Sequence, residues 1–118
     1  MTYHDEPNWK DVRWDHGAAD EAAAALRRAA AELERARDDD ARLAMEAATE
    51  WRGDSREDFE QRRRPLHAEL GDLAAACRDA AEHVRRASTQ ASAEQRRREA
   101  EREAWEREEE RRRRSTVA

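Results

Sequence analysis

This chain is short of almost everything that marks a site of chemistry. Its one cysteine, Cys77, excludes an internal disulfide, and its helical spacing makes it a small apolar packing residue rather than a nucleophile. A Gly-rich phosphate loop, a nucleophile elbow and a paired catalytic constellation are all missing, so no enzyme and no cofactor is expected. The histidines, His4, His16, His67 and His83, never fall two to a helical turn, and Asp38, Asp39 and Asp40 lack the alternation and glycine of a calcium loop. No metal site follows. No apolar run approaches the length of a membrane span, and "MTYHDEPNWKDVRW" has no basic stretch leading into an apolar one. Membrane insertion and a cleaved leader are therefore not expected. Lysine is nearly absent too. Lys10 stands alone among abundant Arg and Ala, a composition of G- and C-rich genomes such as actinobacterial ones.

Large apolar side chains are scarce in the 37% hydrophobic fraction, so 118 residues can form one domain without a deep core. Charged residues make up 45%, which with helix-period patterning points to long exposed helices or a coiled coil. The net charge of −5 is the difference of two large populations. Arg runs at 62–64, 96–98 and 111–114 are offset by neighbouring acids, whereas phosphate binding gains from uncompensated cations, so nucleic acid is not an expected partner.

Residues 1–14, with Tyr3, Pro7, Trp9, Val12 and Trp14, are too short for a domain and form an arm. Asp15 suits an N-cap, and no Gly or Pro interrupts residues 18–50. Helix 1 is expected over about 16–50, with Leu26, Ala29, Leu33, Ala36, Leu43 and Ala47 at spacings of three and four and Asp40 the polar residue in phase. "WRGD", 51–54, forms the turn, where Gly53 supplies positive φ. Asp54 with Glu57, or Ser55 with Asp58, can cap helix 2 over about 55–91. Its stripe is Phe59, Leu66, Leu70, Leu73, Cys77, Ala80, Val84, Ala87 and Ala91. Pro65 predicts a kink in a continuous helix, since Phe59 and Leu66 keep heptad spacing across it; a helix restarting at Pro65 is the alternative. Each striped segment would span roughly 50 Å, as an antiparallel hairpin requires. Residues 92–118 continue as a charged helical extension that frays at its end, with opposite charges at i, i+4 such as Glu94 with Arg98 and Arg102 with Glu106.

The fold class is thus all-α, a two-helix antiparallel hairpin. Its corner, with Trp51, Gly53 and the aromatic Phe59 eight positions after the Trp, resembles the WXG family of helical-hairpin proteins exported by type VII (ESX) secretion systems, over roughly residues 15–91. The resemblance implies a homo- or heterodimer with another hairpin in a four-helix bundle, a secretion ATPase as partner, and export from the cytoplasm to the extracellular space without a cleaved signal peptide. It also implies a C-terminal signal, a Tyr followed four positions later by an acid. This chain departs from that pattern: its only Tyr is Tyr3, and the nearest substitute is Trp105 with Glu109.

A lone hairpin cannot cover both sides of its seam, so Leu26, Leu33, Leu43, Leu66, Leu70, Leu73 and Val84 are the expected seam and partner interface. Trp51 has two readings, a packing plug at the hairpin corner or an element recognised during export. Asp38, Asp39 and Asp40 read as a solvated face with Asp40 at a polar gap in the seam; the alternative is that Asp40 meets Arg62 or Arg63, the polar step of helix 2, at one level of the hairpin. A cytoplasmic coiled-coil adaptor or scaffold is the alternative function.

Overall fold

A computed structural model describes residues 5–117; Tyr3 and His4 of the expected arm lie outside them. Two helices account for the regular structure, α1 (His16–Glu50) and α2 (Asp54–Val117). α1 begins directly after Asp15, the position an N-cap occupies. Its last turn is closed by the Trp51 amide donating to the Ala47 carbonyl at 2.8 Å. Only Trp51, Arg52 and Gly53 separate the helices, and Gly53 has φ +76°. That conformation crowds any Cβ against the following carbonyl.

The cap of α2 differs from expectation. The Gly53 carbonyl accepts from the amides of Arg56 at 3.2 Å and Glu57 at 3.3 Å, so Gly53 itself stands at the N-cap, while Asp54 and Glu57 lie in the first turn and complement its positive end. α2 passes through Pro65 without interruption and carries on through the charged tail to Val117. Pro65 removes one amide donor, and the helix continues on both sides of it despite that loss. Past residue 91, Arg, Glu and Ala are strong helix formers. Arg97 with Glu101 at 2.9 Å and Arg114 with Glu110 at 2.8 Å add i, i+4 pairs, and Arg111 pairs with Glu108.

The chain divides into two units, one of residues 17–85 and one of the arm up to His16 together with residues 86 onward. In the first unit α1 and the N-terminal part of α2 pack antiparallel as a helical hairpin. Every fully buried apolar residue among the described ones is an alanine: Ala19, Ala23, Ala30 and Ala44 on α1, Ala74 and Ala81 on α2. Leu26, Leu33, Leu70, Cys77 and Val84 are half-buried between them.

This seam is shifted by one residue from part of the expected stripes. Leu26 and Leu33 keep their place, but Ala30 and Ala44 occupy the inner positions instead of Ala29 and Leu43, and Ala36 is exposed. On α2, Leu70, Cys77 and Val84 keep theirs, while His67, Ala74 and Ala81 displace Leu66, Leu73 and Ala80. Neighbouring residues compete for a seam because the apolar stripe of a helix is about 100° wide. Close approach of the two backbones decides the competition in favour of alanine, and the bulkier leucines turn to one side.

Candidate interaction surfaces

The displaced leucines gather on one flank of the hairpin. In an antiparallel pair, the positions one step before a heptad row of the seam, Ala23, Ala30, Arg37 and Ala44 on α1 and Glu60, His67, Ala74 and Ala81 on α2, fall on the same side of both helices. Here they are Ala22, Ala29, Ala36 and Leu43 on α1, and Phe59, Leu66, Leu73 and Ala80 on α2. Leu43 is 59% exposed, Leu66 62% and Leu73 46%. The opposite flank is polar over most of its length. Glu34 and Arg78 bridge the helices there at 2.5 Å, beside Arg27, Arg64 and Arg85. The bond from Arg78 lowers the Glu34 carboxyl and correspondingly raises the guanidinium. Gly71, on the same flank, makes room for the Arg37 guanidinium, whose Cζ would lie 3.1 Å from an added Cβ.

A polar layer interrupts the alanine seam. Asp40 Oδ2 accepts from Arg63 Nη1 at 2.8 Å and lies 2.9 Å from His67 Nδ1, and Arg63 also reaches Glu60 at 3.3 Å. Of the two expected partners Asp40 therefore takes Arg63, while Arg62 turns outward to Asp58 at 3.3 Å. Burial alone would raise the Asp40 carboxyl, but the hydrogen bonds from His67 and Arg63 outweigh it and hold the group below its ordinary value. Glu60 and Asp40 together raise the Arg63 guanidinium.

At the corner, Trp51 and Phe59 meet edge to face, with ring centroids 5.0 Å apart and planes at 76°. Trp51 nevertheless stays 45% exposed, so it packs on the end of the hairpin without being enclosed by it. An open depression of about 560 Å³ beside the corner is lined by Gly53, Arg56, Glu57, Glu60, Gln61 and Arg64, all from the turn or α2 and none from α1. It is not a pocket between the helices.

The second unit contains a contact that sequence reasoning missed. Residues 5–15 form neither helix nor strand and lie along α2. The Val12 amide donates to Gln95 Oε1 at 2.8 Å. Arg98 Nη1 and Arg102 Nη2 donate to the Lys10 carbonyl at 3.0 and 2.8 Å, and Arg102 Nε donates to the Asn8 carbonyl at 3.0 Å. Asp11 Oδ1 accepts from Gln95 Nε2 and Arg102 Nη1, both at 2.9 Å. Trp14 Nε1 donates to Ser88 Oγ at 2.9 Å, and Trp9 meets Trp105 edge to face at 5.5 Å.

Arg102 thus serves the arm, whereas the expected i, i+4 pair was with Glu106; Glu94 and Arg98 do pair, at 3.0 Å. The proposed signal residues Trp105 and Glu109 are half-buried, and Trp105 is engaged by Trp9. The only available hint was phase: Ser88, Ala91, Gln95, Arg98, Arg102 and Trp105 recur at spacings of three and four. No family model, curated protein or solved structure matches this chain. Among the described residues no group of three or more His, Cys, Asp or Glu is arranged to hold a metal ion, and no helix is long and apolar enough to cross a membrane.

Proposed function

We propose that this chain works by helix-face binding to a second helical hairpin, as a type VII secretion substrate or export partner, without chemistry of its own. One observation carries the binding part: the flank bearing Leu43, Leu66 and Leu73 is exposed, continuous across both helices and opposed by a flank bearing Arg27, Glu34, Arg64 and Arg78. A hairpin with one apolar side and one polar side is built to be covered once. A second pair of helices laid on that side completes a four-helix bundle, with Ala29, Ala36 and Ala80 permitting close approach. The export part rests on the resemblance at Trp51, Gly53 and Phe59. In this reading the exposed side of Trp51, and Trp105 with Glu109, are offered to the secretion ATPase.

Two measurements test the two parts separately. Leu43→Glu, Leu66→Glu and Leu73→Glu together should convert a dimer to a monomer in light scattering while helical circular dichroism persists; an unchanged mass would overturn the flank as the interface. For export, the protein should appear in culture filtrate of its host and disappear from it when the type VII ATPase is deleted. Retention in the cell pellet of both strains would instead favour the cytoplasmic adaptor.

A further inference from the structure

We infer that the face of α2 from Ser88 to Trp105 is a recognition site for extended peptides bearing an indole and, two residues later, a carboxylate, and that the chain's own arm is its resident ligand. The division of labour among the contacts supports a peptide-reading site rather than incidental packing. Three main-chain groups of the arm, the carbonyls of Asn8 and Lys10 and the amide of Val12, are bound by side chains of Gln95, Arg98 and Arg102. Such bonds select an extended backbone and are indifferent to its sequence. Selectivity comes from side chains, Trp9 against Trp105 and Asp11 between Gln95 and Arg102, with Trp14 adding a bond to Ser88 at the other end of the face. Arg102 alone engages two carbonyls and one carboxylate through its planar fork, a task a lysine cannot perform.

The exposures are lopsided. The Arg102 side chain is 17% exposed, whereas Asp11, its ligand, is 73% exposed. Arg102 is therefore largely covered where the arm meets it, and the arm lies there with one side open to solvent. Tethering gives the arm an effective concentration of about millimolar order, so a competing peptide gains access only after the arm is weakened or outcompeted. A consequence for Trp105 follows directly: another protein can pack on the side of the ring that Trp9 now occupies only when the arm has left. Binding of the peptide itself does not depend on export, and failure of the secretion reading would leave it standing.

The test uses the full chain with its arm disarmed by Trp9→Ala and Asp11→Ala, and a fluorescein-labelled peptide of residues 5–15 as the probe in anisotropy titrations. The disarmed chain should bind the peptide at least tenfold more tightly than the wild-type chain. Adding Arg102→Ala, or exchanging the Trp9 and Asp11 positions in the peptide, should abolish binding. Equal affinity for wild-type and disarmed chains, or no binding to a disarmed chain of unchanged helical circular dichroism, overturns the inference. If the double variant loses helicity, Asp11→Asn alone serves for the same comparison, and equal affinities there overturn it equally.

Discussion

The hairpin of residues 17–85 and the unit formed by the arm with residues 86 onward use opposite means of cohesion. The first buries alanine against alanine, with Asp40, Arg63 and His67 as its one polar layer. The second is joined by long polar side chains reaching an irregular segment's backbone, with one aromatic pair at Trp9 and Trp105. Apolar packing is sensitive to volume and insensitive to pH; charge-assisted bonds on a surface are the reverse. The contrast separates a part suited to hold its shape from a part suited to exchange its ligand.

The sharpest way to break the hairpin is therefore steric. Ala74→Leu, at a site 1% exposed, should destabilise by about 2 kcal/mol through overpacking, read as a lower urea midpoint, while Ala76→Leu at an exposed position of the same helix should move it by less than about 0.5 kcal/mol. Equal effects would mean that the seam is not where the alanines place it. Asp40→Ala ranks next, because it leaves Arg63 and His67 without their shared acceptor; a double-mutant cycle with Arg63→Ala should return a coupling of about 1 kcal/mol, and Arg62→Ala none. Gly53→Ala forces a Cβ into the left-handed region and should cost about 1 kcal/mol, measured by thermal denaturation.

The smallest effect separates the two regions by pH. Hydrogen bonds from Gln95 and Arg102 hold the Asp11 carboxyl below its ordinary value. Asp40 is lowered as well. A carboxylate depressed on folding stabilises fully above its unfolded value of about 3.9 and loses that contribution as pH falls through the lowered folded value. Acidification should release the arm, seen as a change in Trp emission that Trp9→Ala removes, while the alanine seam keeps the hairpin's helical signal. Simultaneous loss of both signals would show that the regions are not separable in this way.

Much of the hairpin was legible in the sequence because helix period, turn chemistry and length are local properties. The uninterrupted Ala-rich run, Asp15 before it and Gly53 after it announced α1 and its end, and Asp40 in phase with an Arg step announced the polar layer. Which of two adjacent residues enters the seam was not legible. Leu66 or His67, and Leu73 or Ala74, satisfy the same period, and in each pair the larger side chain lies on the flank while its neighbour faces the other helix. The arm's site escaped for another reason. Gln95, Arg98 and Arg102 read as solvated charge, since nothing local distinguishes an Arg that pairs along its own helix from one that reaches a backbone more than 80 positions away, as |i−j| = 92 for Arg102 and Lys10.

The amino-acid order by itself determined two long helices, their reversal at Gly53 and the absence of bulk for a deep core, because backbone preference and side-chain period act within a few residues. Only the tertiary structure decided that alanines line the seam and leucines its flank, and that Arg102 belongs to the arm. Those outcomes depend on how closely two backbones approach and on which distant carbonyl comes within reach, and neither quantity exists until the chain has folded.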